Sequence, residues 1–237
     1  MRKTLIAQAE KIGLTLSPEQ AEKFEVYHEM LIDANRKMNL TRVPEDIQEA
    51  VDRNYLDSIA PAALPPFSGA KSAVDVGSGA GFPGVPLSIL LPETHFVLLD
   101  ALGKRVEFLD VVVRALSLNA ETAHLRAEDA GRNPAWREQF DLAVSRAVAP
   151  INVLAELMLP LVRVGGRMLA YKGPAAGEEL SEAARAIDAL GGGPGQMHSI
   201  AIPGRDWAHS AVEIEKIAPT PDRYPRRAGM PEKKPIV

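Results

Sequence analysis

Short apolar segments alternate with helical segments from residue 72 onward, and this alternation limits the possible folds more than any other feature of the sequence. Five segments have the length and composition of strands: SAVDVG, HFVLLD, ETAHLRA, FDLAVSRA and GRMLAYKG. A helix is predicted after the second of them, because apolar residues recur there at the spacing of one buried face: Leu109, Val112, Val113 and Leu116. Strands that alternate with helices form a parallel sheet with helices on both faces. The sequence therefore predicts a doubly wound α/β domain.

The C-terminal part of the sequence predicts an addition to this sheet. A helical segment near residues 176–190 and the glycine-rich GGGPG are followed by two apolar segments, MHSIAI and AVEIEKIA, with a short loop between them. Two strands joined so closely pair most simply in antiparallel orientation. We therefore expect an antiparallel hairpin at the far edge of the sheet.

The first sixty residues have the pattern of helices. Ser17 and Gln20 form a capping box, and Pro18 suits the first helical position. Two sets of apolar residues then recur at helical spacing: Phe24, Tyr27, Leu31 and Ala34, followed by Ile47, Val51, Tyr55 and Ile59. The proline-rich PAALPPFSG predicts a linker. We expect a helical extension over residues 1–66 and the main domain over residues 67–237.

Composition excludes several classes of function. The chain has no cysteine, which removes disulfides, thiolate metal sites and cysteine nucleophiles. Its five histidines have no ligand spacing, so we expect no metal site. There is neither an apolar run long enough to cross a membrane nor a signal-peptide pattern, and we expect a cytoplasmic protein.

Charge is unevenly distributed along the chain. The formal net charge is −4, yet residues 222–234 contain five basic and two acidic side chains. A local basic strip on an acidic body is suited to binding a phosphate backbone at one place. The segment DRYPRRAGMPEKK is therefore a candidate nucleic-acid contact.

A glycine-rich turn, DVGSGAGFPGVP, follows the first predicted strand. Read from Gly79 it is the dinucleotide pattern G-x-G-x-x-G, and read from Asp75 it is D-x-G-x-G-x-G, the pattern of an S-adenosylmethionine site. In a doubly wound sheet the ligand lies at the carboxyl ends of the strands. The residues at those ends are Asp75, Gly77, Gly79, Gly81, Asp100, Ala127, Glu128, Asp129, Ser145 and Arg146.

Electrostatics favours the second pattern. A pyrophosphate needs backbone amides without a nearby carboxylate, whereas a sulfonium ligand is cationic and carries no phosphate. Asp75 is expected to repel a pyrophosphate and to attract a sulfonium ligand. Glu128 lies where the edge of an adenine ring would be recognised. Asp100 suits the ribose hydroxyls of either ligand. No Tyr-x-x-x-Lys pair is present, so a nicotinamide oxidoreductase would lack its usual proton donor, although it stays an alternative.

Several motifs together resemble those of the bacterial 16S ribosomal RNA guanine-N7 methyltransferases, also known as the glucose-inhibited division protein B family. They extend from residue 39 to residue 236 and read NLT, YLDSI, DVGSGAGFPGVPLSI, LLDALGKRVEFL, RAED, SRAVAPI, YKG and YPRRAGMPEKKPI. The resemblance implies a Rossmann-like class I methyltransferase fold with S-adenosylmethionine as methyl donor. It implies a guanine in the 530 loop of 16S rRNA, nucleotide 527, as target.

Carried over by position, the donor-binding residues of this family correspond to Gly77, Phe82, Ala127, Glu128 and Arg146. We add Asp75, Gly79, Gly81 and Asp100 from the strand ends. One departure is visible, because the family usually has His-x-x-Asp-Ser where this chain has Asn54 followed by Asp57 and Ser58. Any role for an imidazole at position 54 is therefore in doubt.

The implied reaction needs no general base. Guanine N7 has a free lone pair and no proton, so the protein must chiefly orient the base, and orientation can contribute roughly 7–11 kcal/mol. We expect no catalytic residue in the strict sense and two positioning candidates, Arg146 and Lys172. Arg146 can donate to guanine O6 or to the donor's carboxylate, or can form a structural ion pair with Asp141 or Asp100.

Two alternatives stay open within this fold and beyond it. A 2′-O-methyltransferase would use a lysine such as Lys172 to deprotonate a hydroxyl, and a non-catalytic protein would only bind RNA. The candidate RNA contacts are Lys104 and Arg105 after the second strand, and Arg223, Tyr224, Arg226, Arg227, Lys233 and Lys234 near the C-terminal end. The alternative for this last group is a solvated, disordered end.

Overall fold

The computed structural model describes residues 1–38 and 40–237; Asn39, part of the NLT motif, lies outside the described residues. Seven strands form one sheet: β1 (Ser72–Val76), β2 (His95–Asp100), β3 (Ala120–His124), β4 (Phe140–Arg146), β5 (Val162–Lys172), β6 (Gln196–Ile200) and β7 (His209–Glu215). Their order is β3-β2-β1-β4-β5-β7-β6. The first five pair in parallel, and β7 pairs antiparallel with both β5 and β6. The predicted doubly wound sheet and its antiparallel hairpin are confirmed.

Helices cover both faces of the sheet. They are α5 (Gly84–Leu90), α6 (Gly103–Ala115), α7 (Ala127–Ala130), α8 (Ile151–Met158), α9 (Ala176–Glu182) and α10 (Ala184–Ala189). Successive strand residues point to opposite faces, so Phe96 and Leu98 of β2 join one hydrophobic cluster while Val97 and Leu99 join the other. The predicted buried face of α6 is confirmed at all four positions.

The N-terminal helices pack on the same face as α5 and α6. They are α1 (Arg2–Lys11), α2 (Pro18–Met38), α3 (Ile47–Ala50), a π-helical turn (Val51–Leu56) and α4 (Asp57–Ile59), followed by 3₁₀ turns at Ala60–Ala63 and Pro65–Phe67. The predicted capping box is present, with Gln20 N donating to Ser17 Oγ at 3.1 Å and Ser17 N donating to Gln20 Oε1 at 2.9 Å. Apolar residues from both sides of the proposed 66/67 boundary share one hydrophobic cluster.

Ile47 is the exception among the predicted buried residues. Its neighbours at helical spacing, Val51, Tyr55 and Ile59, are fully buried, whereas Ile47 is 39% exposed. Ile47 is the first residue of α3, and the π-helical turn that begins at Val51 changes the register of the residues that follow. A regular helical period therefore assigns Ile47 to the buried face incorrectly.

The segment after β7 folds back onto the domain and ends in α11 (Met230–Lys233). Arg132 Nε donates to Pro225 O at 2.8 Å, and Arg137 Nη1 donates to Tyr224 O at 2.8 Å. Arg226 contacts the buried carboxylate of Glu156. These contacts fix the basic segment on the surface of α7 and α8, so the alternative of a disordered end does not fit the structure. None of the described helices combines the length and apolar character needed to cross a bilayer.

Candidate functional site

The glycine-rich turn between β1 and α5 has a conformation that requires glycine. Gly77, Gly79 and Gly81 have φ angles of 76°, 60° and 108°, in the region that side chains rarely adopt. A Cβ on Gly77 would lie 2.7 Å from Val148 Cγ2, and one on Gly81 would lie 2.7 Å from Tyr27 Oη. The turn is therefore packed from both sides, by the segment after β4 and by α2.

Asp75 lies beneath this turn. Its side chain is fully buried, and its Oδ2 accepts a hydrogen bond from Gly84 N at 2.9 Å. Its Oδ1 is buried without a hydrogen-bond partner among the described residues. Burial raises the pKa of Asp75 to about 7. Asp75 was expected to attract a cationic ligand directly. In the structure its carboxyl group instead binds the backbone at the start of α5.

Asp100 ends β2 and also binds backbone amides. Its Oδ2 accepts from Gly79 N at 2.8 Å, its Oδ1 accepts from Leu102 N at 2.9 Å, and Arg105 Nη1 lies 3.5 Å from Oδ2. The carboxylate thus joins the glycine turn to the start of α6. Asp100 is at the predicted strand end, and its oxygens are engaged by the chain itself.

Ala127 and Glu128 begin the short helix α7 after β3. Glu128 is buried, and its Oε1 accepts from Gly229 N at 2.7 Å. The side chain predicted to read an adenine edge therefore also holds the C-terminal segment. Sequence reasoning missed this contact, because Gly229 is distant in the chain and carries no side chain to suggest it.

Arg146 and Phe82 lie together at the end of β4. The Arg146 guanidinium carbon is 4.7 Å from the centre of the Phe82 ring, so two donor-site candidates from different segments are in contact. Arg146 Nη1 donates to Asp57 Oδ2 at 3.1 Å and to Ser58 Oγ at 3.0 Å. His209 Nδ1 lies 2.8 Å from the other oxygen of Asp57.

Asp141 and Asp100 were the ion-pair partners expected for Arg146, and the structure shows a different partner. Asp141 lies at the opposite end of β4, where it pairs with Arg163 at 2.7 Å. Its pKa is lowered by hydrogen bonds from Arg163, Lys71 and Ser72, although burial opposes this shift. The YLDSI motif supplies Asp57 instead, and strand ends alone could not indicate this partner.

A cavity of about 500 Å³ opens beside Arg146. Its walls include the segment from Arg146 to Pro150, together with Tyr171, Lys172, Glu179 and His209. Lys172 Nζ contacts Glu179 Oε2 at 2.7 Å and donates to Ala149 O. Both positioning candidates therefore line one cavity, and each is paired with a carboxylate.

Tyrosine hydroxyl groups from α2 and from β5 support this edge. Tyr27 Oη donates to Ala80 O in the glycine turn at 2.7 Å, and Tyr171 Oη donates to Ser58 O at 2.7 Å. Burial raises the pKa of both tyrosines well above the usual value, which keeps the hydroxyl groups as donors. The contact of Tyr27 with Ala80 could have been indicated by the sequence, because a tyrosine rather than a phenylalanine occurs there in a buried helical stripe.

The candidate RNA contacts lie on two surfaces. Lys104 is exposed and Arg105 partly exposed, beside a cavity of about 440 Å³ that Lys37 and Leu102 also line. Four basic residues of the C-terminal segment are exposed: Arg223, Arg227, Lys233 and Lys234. Tyr224 is partly buried, with the Arg223 guanidinium carbon 5.0 Å from its ring centre.

Arg226 differs from its neighbours. Its Nε and Nη2 donate to both oxygens of Glu156, at 2.9 and 2.6 Å, and the Glu156 side chain is only 1% exposed. Arg226 therefore has a structural contact that a phosphate would have to displace. Over residues 1–38 and 40–237, no group of three or more histidine and acidic side chains is placed to hold a metal ion.

Comparison with known proteins agrees with this arrangement. Residues 20–206 match the family model described as rRNA small subunit methyltransferase G. Proteins named Ribosomal RNA small subunit methyltransferase G are 45% identical in Lactobacillus johnsonii, over 95% of both chains, and 44% identical in Clostridium botulinum, over 96% of this chain and 95% of the relative.

Solved structures with similar folds are more distant in sequence. A predicted O-methyltransferase from Agrobacterium tumefaciens has a TM-score of 0.53 at 18% identity, over 69% of this chain and 80% of its own. Aeropyrum pernix fibrillarin with S-adenosyl-L-methionine has a TM-score of 0.51 at 14% identity, over 67% and 72%. These similarities show the class I methyltransferase fold. Because the family model and the relatives cover most of the sequence, the chain belongs to the rRNA small subunit methyltransferase G (GidB) family.

Proposed function

We propose that this protein transfers a methyl group from S-adenosylmethionine to N7 of a guanine in the 530 loop of 16S rRNA, nucleotide 527, within the small ribosomal subunit and in the cytoplasm. The observation that carries this proposal is the contact between Arg146 and Phe82 beside the glycine turn, in a chain of this family. Two residues from distant parts of the sequence thereby lie at the one edge where a doubly wound sheet binds its ligand.

The donor site is proposed to consist of Gly77, Phe82, Ala127, Glu128 and Arg146, with Gly79, Gly81, Asp75 and Asp100 shaping it. The residues fit this ligand, because the glycines keep the turn free of side chains, and the position of a Cβ on Gly79 is open, with Gly77 O at 3.8 Å and Arg105 Nη1 at 4.0 Å as its nearest neighbours. When bound, S-adenosylmethionine supplies a methyl group activated by a positively charged sulphur. Asp100 and Glu128 supply negative charge around that cation.

The chain's own contribution is binding and orientation. N7 carries no proton, so no side chain has to remove one, and the His209–Asp57 pair at this edge is not required as a base. Arg146 uses Nη1 for Asp57 and Ser58. Its remaining N–H groups can donate to the donor's carboxylate or to guanine O6.

The alternative 2′-O reaction fits the structure less well. It needs a base that accepts the hydroxyl proton, and Lys172 is the candidate. Lys172 Nζ already contacts Glu179 and donates to Ala149 O. These contacts would have to break before the amine could accept a proton. The geometry therefore favours a nitrogen target, which requires no base.

RNA binding is proposed for the exposed basic residues of the C-terminal segment, Arg223, Arg227, Lys233 and Lys234, together with Tyr224, and for Lys104 and Arg105 beside the glycine turn. Arg226 is proposed to hold this segment in place through Glu156, and thereby to support RNA binding.

The test uses small subunits from bacteria that lack this gene. Incubation with the protein and methyl-labelled S-adenosylmethionine should place one label in 16S rRNA, recovered as 7-methylguanosine after nuclease digestion. Isothermal titration should show that the protein binds the methyl donor and not NADH. A label on a ribose, or no incorporation into these subunits, would contradict the proposal.

A further inference from the structure

The cavity beside Arg146 shares a wall with the glycine turn. Val148 lines the cavity, and the same side chain lies 2.7 Å from the position of a Cβ on Gly77. A nucleobase in this cavity would therefore have only the segment after β4 between itself and the donor-binding turn. The volume, about 500 Å³, lies within the range of small-ligand sites.

One carboxylate in the cavity wall is fixed and only partly used. Glu179 Oε2 forms an ion pair with Lys172 Nζ at 2.7 Å and accepts a hydrogen bond from Ile151 N at 3.1 Å. Among the described residues, the hydrogen bond to this carboxylate goes to Oε2 and none is formed to Oε1, and the side chain is 26% exposed. The group is thus held in place by one oxygen, while the other can accept two hydrogen bonds.

We propose that this cavity receives the target guanine and that Glu179 recognises its Watson–Crick edge. This inference rests on the proposed function. Guanine presents the N1–H and N2–H donors on that edge, whereas adenine has an acceptor at N1 that a carboxylate repels. N7 lies on the Hoogsteen edge of the purine, away from N1 and N2. A base held at Glu179 can therefore turn N7 away from α9 and toward the glycine turn.

The same contact would assist the methyl transfer itself. The lone pair of N7 forms the new N–C bond, the S–C bond breaks with its electron pair remaining on sulphur, and the positive charge passes to the purine. The N1–H and N2–H groups become stronger donors as that charge develops. Their hydrogen bonds to Glu179 then strengthen in the transition state, which raises kcat rather than only lowering KM.

The experiment compares subunits reconstituted with guanosine or with inosine at the target position. Inosine keeps N7, O6 and N1–H and lacks only the N2 amine. Single-turnover methylation by the unaltered protein should be about tenfold slower on inosine, because the base then donates one hydrogen bond fewer to a charged group. Equal rates on the two bases would overturn the inference without requiring any variant.

Glu179→Gln should slow methylation of guanosine subunits by about ten- to a hundredfold at saturating substrate, and should bring the guanosine and inosine rates within about twofold. Glu178→Gln, an exposed neighbour on α9, is the matched control and should behave as the unaltered protein. Thermal unfolding of both variants verifies that they fold.

The outcomes separate the two proposals. If Glu179→Gln slows both bases by the same factor, the residue acts only through Lys172 and Ile151, and the inference fails while the proposed function stands. If the unaltered protein methylates neither base, or methylates another atom, the proposed function fails and this inference with it.

Discussion

Asp75 is a residue whose surroundings make the stability of the protein depend on pH. Its carboxyl group is fully buried, and burial raises its pKa from the usual value to about 7. The folded protein therefore binds this proton more tightly than the unfolded chain, so ionisation of Asp75 lowers the free energy of unfolding as pH rises from about 4 to about 7.

Asp75→Asn removes this dependence. The variant's amide oxygen can still accept from Gly84 N, and its stability relative to the unaltered protein should rise by about 2 kcal/mol between pH 5 and pH 7, because each pH unit in this window is worth about 1.4 kcal/mol. Urea unfolding of both proteins at the two values measures the change. A stability difference that is independent of pH would contradict the assigned environment.

Gly81 is required by its packing as well as by its backbone angle. Gly81→Ala would place a Cβ 2.7 Å from both Tyr27 Oη and Val85 Cγ2, at a φ of 108°. We expect the free energy of unfolding to fall by about 2–4 kcal/mol, from overpacking and backbone strain together. Gly13→Ala is the matched control, because Gly13 has a φ of 78° with no atom within 4 Å, and it should cost only about 1 kcal/mol. Equal losses in the two variants would show that packing at Gly81 is unimportant.

Among the elements, α2 supports the glycine turn. Tyr27→Phe removes the hydrogen bond to Ala80 O, and we expect a loss of about 1–2 kcal/mol in stability and a roughly fivefold weaker binding of S-adenosylmethionine, because the turn loses a support. Tyr55→Phe is the control: this hydroxyl lies 2.9 Å from His28 Nδ1 and does not contact the turn. It should lose similar stability and keep donor affinity. Calorimetric titration that finds the two variants equal in affinity would contradict this role of α2.

The sequence allowed the elements of the sheet to be predicted, because alternating apolar segments and a capping box are local patterns. It did not allow the contacts between elements to be predicted. Arg146 pairs with Asp57, 89 positions away, and Glu128 accepts from Gly229, 101 positions away. Partners at such separations depend on how helices and strands pack. The candidate site was therefore located by the strand ends, while the hydrogen bonds that shape it came only from the structure.

In the whole molecule, the C-terminal segment combines a structural and an electrostatic role. Arg226→Ala would leave the buried Glu156 carboxylate without its guanidinium partner, and we expect the free energy of unfolding to fall by about 3 kcal/mol. Arg227→Ala is the matched control, because Arg227 is exposed, and it should leave stability within about 0.5 kcal/mol. Denaturant unfolding that ranks the two variants in the opposite order would contradict the structural assignment of Arg226.

The exposed cations of this segment should determine the salt dependence of RNA binding. Replacing Arg227, Lys233 and Lys234 with alanine should reduce the slope of log affinity against log salt by about 0.7–0.9 for each phosphate that the protein no longer neutralises. Filter binding to small subunits at several salt concentrations measures the slope. An unchanged slope would exclude these three residues from the RNA interface.

The position of β7 between β5 and β6 has a consequence for the protein during translation. β5 is complete at residue 172, but its antiparallel neighbour begins only at residue 209. Until the ribosome has released β7, one side of an eleven-residue strand has no partner, and such an edge promotes intermolecular pairing. Nascent chains stalled between these two points should accordingly depend on chaperones to stay free of aggregates.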